Sequence, residues 1–512
     1  MSTLEISGRD LTLAQVLAFE KERPQVVLST DASSRMRQSV RTVADVVSAG
    51  RVSYGINTGF GAFANRRISA AQVKQLQLNL VRSHAAGVGE PFTPELTRRI
   101  MLLKCNSLAA GFSGIRVEVV ETLLAMLNAD ILPVIPCRGS VGASGDLAPL
   151  AHLALTLIGE GEARQDELLL EGPAVLQEIS RQPITLEAKE GLALLNGTQA
   201  SAALAIAGLE QAENLLATSI LTGACSVEGL AGSFAPFDGR IHEVRGMSGQ
   251  RHVATLFRAL LDESEVNHSH EDCDRVQDPY AVRCMPQVLG AVWDTLAHAA
   301  SVLARECNGV SDNPLIFGED VLSGGNFHAE PLAFVSDFMA IAVAEIGAMS
   351  ERRTDLLARR INPDLNMFLT EEPGLESGMM IAHVTAAALA SENKTLAHPA
   401  SVDSMPTSAG QEDHVSMAPW AGLKLLLICE NTTRILGIEL LAAARALDEQ
   451  RPLRTTSRLE DLHARLRMAV PATPGDHRLD RDIRRVSSLI SQGTLLDLLP
   501  NGETGALHRA AD

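Results

Sequence analysis

The chain has 512 residues, 46% of them hydrophobic and 21% charged, with a formal net charge of −18. That length exceeds one simple core and predicts two or three lobes in an otherwise ordinary globular composition. The acid excess argues against nucleic acid as a partner, and no uninterrupted apolar stretch reads as long enough to span a bilayer, so no membrane partner is expected.

Residues 4–11 read as a short strand or loop, followed by helices to residue 50. Residues 51–66 carry three glycines and no helical period, the pattern of a loop that carries function. Periodicity predicts helices over 70–86, 93–110 and 115–128, and 131–136 is a short apolar run. Residues 145–159 read as a helix, with Asp146 near its N-terminus and Pro149 in or near its first turn. From 198 to 230 the pattern changes. Residues 202–209 are apolar all round, and charges stand only at Glu210, Glu213 and Glu228. A long helix with so little polar face is buried, in a core or between subunits. Residues 329–349 and 380–391 repeat the theme, and 284–307 and 412–447 supply further long helices. Together they predict a mainly α fold around an antiparallel bundle. Residues 454–512 are more charged and contain Pro471 and Pro474, so peripheral helices and loops are expected. The boundary falls near 198, giving an N-terminal lobe over 1–198 and a long-helix bundle domain over 199–512. Seven cysteines without a Cys-x-x-Cys pair read as reduced thiols of a cytoplasmic protein. The first residues lack the basic and apolar regions of a signal peptide.

The stretch that carries chemistry is Gly139-Ser140-Val141-Gly142-Ala143-Ser144-Gly145-Asp146-Leu147-Ala148-Pro149-Leu150. No Gly-Lys-Ser/Thr follows the glycines, so it is not a P-loop. Nor does it hold the Gly-x-Ser-x-Gly of a nucleophile elbow. By itself, Ala-Ser-Gly reads as a tight turn before a helix. It also has the makings of a self-cyclising tripeptide. Attack of the Gly145 amide nitrogen on the Ala143 carbonyl closes a five-membered ring, and loss of water turns the Ser144 side chain into an exocyclic methylidene. Ala143 is small, Ser144 brings the leaving hydroxyl, and Gly145 lets the backbone fold back.

The full string resembles the signature of the histidine and phenylalanine ammonia-lyases. In that family Ala143, Ser144 and Gly145 correspond to the residues that become 4-methylideneimidazole-5-one (MIO), so a self-derived MIO and no external cofactor are expected. Five further stretches fit the resemblance. Tyrosine is scarce, with only Tyr54 and Tyr280 in the chain. Tyr54, in Ser53-Tyr54-Gly55, matches the tyrosine that acts as base on the substrate. A free phenol has a pKa of about 10, so the role asks for a lowered value. Ser83-His84 matches the pair that faces the substrate ring in histidine-specific members. Asn196, in Asn196-Gly197-Thr198-Gln199, matches an asparagine that contacts the prosthetic ring and the substrate. In Gln277-Asp278-Pro279-Tyr280-Ala281-Val282-Arg283, the resemblance assigns Arg283 to the substrate carboxylate, where a guanidinium fork suits two oxygens. It places Gln277 and Tyr280 against the electrophile. Phe327 is implied to pack beside the prosthetic ring, Glu412 to face the substrate imidazole, and Met380 to lie over the substrate. Gly410 departs from the family, where asparagine is usual.

The resemblance implies a mainly α fold of the aspartase/fumarase type with a smaller N-terminal lobe, and a homotetramer whose active sites are shared between subunits. The implied reaction is the non-oxidative deamination of L-histidine to trans-urocanate and ammonia, the first step of histidine breakdown. Two alternatives stand beside it: a phenylalanine or tyrosine ammonia-lyase or aminomutase, against which Ser83-His84 and Glu412 speak, and a catalytically silent helical scaffold. His268, His270, Asp272 and Cys273 do not fit a recognised zinc spacing, so a polar turn and no metal are expected there.

Overall fold

Small residues set the spacing of the long helices in this computed structural model, which describes residues 2–270 and 275–500. Helix Gln199–Gly229 meets helix Ala418–Glu449 where a Cβ on Gly208 would stand 2.2 Å from Leu425 and one on Gly422 would stand 2.7 Å from Leu204. Each leucine fills the space that the opposite glycine leaves, which is how close packing is reached without voids. Helix Glu330–Ala358 completes the central trio.

Contacts between these helices give their directions. Asp337 pairs with Lys424 and Arg353 with Glu439, so Glu330–Ala358 runs parallel to Ala418–Glu449. Helix Met285–Glu306 runs the other way, with Met285 against Gly223 and Glu306 reached by Thr198. Helix Met380–Leu396 is also reversed, with His383 on Glu351 and Asn393 beside Gly347. Successive long helices therefore alternate up and down, the antiparallel arrangement expected from short connections. Arg353 and Glu439 are both fully buried and joined by two hydrogen bonds, at 2.5 and 2.8 Å, with Ser226 also donating to Glu439 at 2.6 Å. Removing one partner would strand a buried charge, so these pairs tie helix register.

Helix Glu330–Ala358 corrects one expectation. By length and hydropathy it could cross a membrane, but 67% of its most apolar window is buried inside the molecule. It is the core helix of the bundle.

The N-terminal part packs helices Pro94–Ala109, Val117–Asn128, Leu147–Leu157 and Val73–His84 against one another and against the start of the bundle. Short sheets trim it. Thr3–Ile6 pairs in parallel with Gln25–Leu28, and Val88–Pro91 pairs antiparallel with Pro136–Arg138. One hydrophobic core runs from Leu4 to Leu499. The expected helix over 412–447 begins later, at Ala418. Thr407 and Glu412 bridge antiparallel, and Met417 takes a left-handed conformation before Pro419 in the first helical turn. Of the four residues where a polar turn is expected, Asp272 and Cys273 lie outside the described residues. His270 has Nδ1 at 2.6 Å from the Val266 carbonyl oxygen and Nε2 at 3.2 Å from that of Gly232.

Glu228 carries a pH prediction. Its side chain is 1% exposed and accepts a hydrogen bond from Ser264. Burial pushes its carboxyl up from 4.5 to about 7. The folded chain thus keeps a proton that the unfolded chain releases, so this stability is complete below about pH 4.5 and is lost as pH rises through about 7. Glu228→Gln should leave the melting temperature unchanged at pH 4.5 and raise it at pH 8, by roughly 1–3 kcal/mol in stability. Calorimetry at the two pH values checks this.

Candidate active site

The turn at 139–147 is held by glycine conformations that no other residue takes easily. Gly145 has φ +75°, and a Cβ there would stand 2.2 Å from the backbone oxygen of Gly197. The two glycines form an isolated parallel bridge, and the Asp146 amide donates to the Gly197 carbonyl at 2.7 Å. Around this contact, Asn196 Nδ2 donates to the Ser144 carbonyl at 2.8 Å, Ser140 Oγ to the Gly145 carbonyl at 3.3 Å, and Ser416 Oγ to the Gly142 carbonyl at 3.0 Å. The Met417 amide donates to the Val141 carbonyl at 2.9 Å.

Two helices begin at the turn. Asp146 precedes helix Leu147–Leu157, but its carboxylate serves the other helix, Gln199–Gly229. It accepts from the Ser201 amide at 2.7 Å and from Ser201 Oγ at 2.9 Å. A carboxylate suits the unpaired amides and positive dipole of a helix start. Complete burial still raises it to about 6, against those hydrogen bonds.

A cavity of about 1210 Å³ opens over Ala143 and Ser144. Tyr54, His84, Asn196, Phe327 and Glu412 all line it, as do Phe60, Asn313, His328 and His414. Backbone pairing explains this convergence of distant segments. The pairing of Val88–Pro91 with Pro136–Arg138 holds His84 beside the turn, and Gly139 approaches Gly87 closely, a Cβ there standing 3.0 Å from the Gly87 Cα. A Cβ on Gly61 would stand 2.6 Å from Ser408 Oγ, so the Tyr54 loop lies against the loop that carries Glu412. Thr407 aims Glu412, its Oγ1 donating to Oε2 at 2.6 Å. Gly410 sits in that loop at φ +84° with open space where a Cβ would point. Asparagine tolerates this left-handed region better than most residues, so a Gly–Asn exchange keeps the turn.

The electrostatics favour neutral groups. Burial is the main cause that lowers His84, and its Nδ1 lies 2.9 Å from the Leu80 carbonyl oxygen. With the proton assigned to Nδ1 by that acceptor, Nε2 carries the lone pair. Tyr54 departs from the expectation that a base should titrate low. Burial raises its phenol first, the Gly61 backbone hydrogen bond opposes this, and the Glu412 charge raises it further. Asn196 Oδ1 is buried with no hydrogen-bond partner among the described residues. A buried acceptor left open in a cavity wall is a place for a ligand N–H or O–H.

Four residues of the expected site lie elsewhere on the chain. Gln277 and Tyr280 are exposed, the latter at 70%. Arg283 stacks over the Tyr280 ring at 4.5 Å and donates from Nε to the Asp278 carbonyl at 2.9 Å. Met380 opens helix Met380–Leu396 at the surface. Conversely, His328 and His414, which were not expected, also line the cavity, next to Phe327 and two residues beyond Glu412. Their rings lie parallel at 5.6 Å. Among the described residues, they and Glu330 bring possible ligand atoms within 4.8 Å of one another. Thr407 gave no sequence signal, because only the bridge register places it on Glu412.

The glycine pair yields a test. A methyl at 145 would meet rigid backbone, whereas one at 197 would meet the movable end of Gln199. Both positions carry positive φ, worth about 1–3 kcal/mol of strain for a non-glycine residue. Gly145→Ala should therefore lower thermal stability more than Gly197→Ala, as measured by circular dichroism melting.

Known proteins of this kind exist. A family model described as aromatic amino acid lyase matches residues 11–468. The histidine ammonia-lyase of Enterobacter sp. (strain 638) is 50% identical over 503 residues, covering 98% of this chain and 99% of its own length. That of Photorhabdus laumondii is 51% identical over 506 residues, covering 98% of each. The crystal structure of histidine ammonia-lyase from Trypanosoma cruzi superposes with a TM-score of 0.90 at 39% identity, covering 99% of this chain and 97% of that one. Tyrosine aminomutase from Streptomyces globisporus superposes at 0.91 with 34% identity, covering 97% and 98%.

Proposed function

The chain belongs to the aromatic amino acid lyase family, and on that footing we propose that it deaminates L-histidine to trans-urocanate and ammonia as a carbon–nitrogen lyase. The observation that carries the reading is one cavity holding Tyr54, His84, Ser144, Asn196 and Glu412, in a chain half identical to histidine ammonia-lyases over nearly its whole length.

The family uses a prosthetic group of the MIO type, and residues 143–145 fit it. The turn brings Ser144 to the cavity wall, glycine stands where the backbone folds back, and the Asn196 amide donates to the Ser144 carbonyl. That group supplies an electrophile, which no ordinary side chain offers and which loss of ammonia from an unactivated amino acid needs.

The chain's own residues do the rest. The reaction removes one proton from the β-carbon. The C–H electron pair becomes the new double bond, and the C–N pair leaves with the amine. Tyr54 is assigned to take the β-proton, and its raised phenol places its ionisation on the alkaline side. Asn196 Oδ1, without a partner among the described residues, would accept from a substrate N–H. His84 and Glu412 face the substrate ring. An imidazole has two nitrogens that need partners and a phenyl ring has none. A neutral imidazole brings one N–H, which can donate to His84 Nε2 or to Glu412, the latter held by Thr407; both acceptors are used at once only by a protonated ring.

Arg283 is assigned to the substrate carboxylate, with Gln277, Tyr280 and Met380 beside the reacting groups. All four lie away from the cavity of their own chain, so we assign them to a neighbouring chain's site in a homotetramer. The exposed Phe334, Phe338 and Ile341 on the bundle surface support such contacts. The six described cysteines are free thiols, which supports a cytoplasmic location.

Glu412 tests the substrate. Phenylalanine bound against the half-buried Glu412 would cover its carboxylate without offering it an N–H, at about 1–3 kcal/mol, or roughly tenfold to a hundredfold in selectivity. Glu412→Gln should lower the ratio of kcat/KM for histidine over phenylalanine by that order. A ratio equal to wild type would mean that Glu412 does not read the ring.

A further inference from the structure

Behind the turn lies a buried cation with no place in the chemistry above. Lys104 sits on helix Pro94–Ala109 in the run Met101-Leu102-Leu103-Lys104-Cys105 and is 1% exposed. Its Nζ donates to the Asn196 carbonyl at 2.7 Å. Among the described residues no carboxylate lies within 4.0 Å of it. The neighbouring Lys189 has its own partner, Asp312, at 2.7 Å. Burial pushes the Lys104 ammonium down to about 8, with Asp312 and Asp146 opposing and Lys189 adding to the fall. It remains charged at neutral pH.

A dry ammonium without its own carboxylate is costly. A neutral donor could satisfy one backbone carbonyl, so the charge calls for a reason. The carbonyl it holds belongs to Asn196, and that residue faces the turn in three ways. Its peptide leads into Gly197, against which Gly145 closes. The Gly197 carbonyl accepts from the Asp146 amide, and the Asn196 side-chain amide donates to the Ser144 carbonyl at 2.8 Å.

We propose that Lys104 is a positioning residue for the prosthetic turn, its charge fixing the Asn196–Gly197 peptide so that Ala143-Ser144-Gly145 can cyclise and dehydrate. This rests on the reading of the turn given above. The chemistry needs both parts of the arrangement. In ring closure the Gly145 nitrogen bonds to the Ala143 carbonyl carbon and its amide proton passes to that oxygen; the resulting hydroxyl takes the Ser144 amide proton and leaves as water, while a carbon–nitrogen double bond forms between the Ala143 carbonyl carbon and the Ser144 nitrogen. In dehydration the α-proton of Ser144 and its Cβ hydroxyl leave as a second water, and a carbon–carbon double bond forms. Negative charge grows on the Ser144 carbonyl oxygen as the α-proton departs. The Asn196 amide is the donor on that oxygen, and a fixed donor aimed at developing charge is what stabilises it. The Lys104 cation holds that donor's backbone and adds positive potential behind it.

The experiment uses the full-length protein with Lys104→Met and Lys104→Gln, which remove the charge. The readouts are the mass of the peptide spanning 143–145, the melting temperature, and kcat and KM on L-histidine. Wild type should lack two waters in that peptide. A folded neutral variant should contain about tenfold less dehydrated chain, or lower still, as expected for losing a charged hydrogen bond. Its kcat should fall in proportion while KM holds. A folded neutral variant dehydrated to the wild-type extent overturns the proposal. Two neutral variants that both fail to fold also overturn it, because Lys104 would then serve the fold and not the turn. A wild-type chain with no missing water overturns the reading of the turn itself, and this inference with it.

Discussion

The Gly145 and Gly197 peptides lie so close that Gly145 has no room for a side chain, and the site depends on that contact. It joins the turn of the N-terminal part to the chain just before Gln199, where the first long bundle helix begins. Asp146 secures the join from both sides, its amide on the Gly197 carbonyl and its carboxylate on the Ser201 amide. The start of the bundle and the chemistry-bearing turn are therefore one piece of structure. Lys104 and Asn196 extend it by one layer toward helix Pro94–Ala109. The long buried helices make this possible, since a rigid, alanine-rich bundle with paired charges at Arg353–Glu439 and Asp337–Lys424 gives the turn a fixed base.

The cavity's polarity follows from burial. Burial holds His84 toward its neutral form and Tyr54 toward its protonated form, the Glu412 charge opposing the first and reinforcing the second. A neutral imidazole substrate meets a neutral histidine acceptor without stranding a charge. Tyr54 needs something more to act as a base, and no cation is among the causes that shift it in the single chain. Arg283 stands apart on the surface beside Tyr280. A site assembled from several chains would add a second guanidinium to a cavity that its own chain lines with Arg66, and would ease ionisation of the phenol.

Much of the fold was legible in the sequence because its signals are local. Apolar periodicity marked the long helices, and their observed ends at 199–229, 285–306 and 94–109 lie within a residue or so of the expected ones. The helix expected from 412 starts at Ala418 instead, since the Thr407–Glu412 bridge is a contact between backbones that periodicity does not see. Helix Glu330–Ala358 runs nine residues past its expected end, where Glu351, Arg353 and Asp355 break the apolar pattern but find partners in the bundle and on Met380–Leu396. Site residues with chemical character, such as the scarce Tyr54 and the string at 139–150, stood out. Lys104 gave no signal inside the helix expected over 93–110, because its partner Asn196 is 92 residues away. His328, His414 and Thr407 matter through the company that folding gives them. The separation of Arg283 and Met380 from the cavity was equally invisible, since a sequence motif does not say which copy of the chain it serves.

The central claim is that this cavity removes ammonia from histidine in preference to other aromatic amino acids. The direct measurement is a side-by-side assay of the purified protein on L-histidine, L-tyrosine and L-phenylalanine, following urocanate absorbance and the corresponding arylacrylates, with ammonia release in parallel. The account predicts urocanate and ammonia in equal amounts from histidine, with the two carbocyclic amino acids far slower. Turnover of tyrosine or phenylalanine with none of histidine would contradict it.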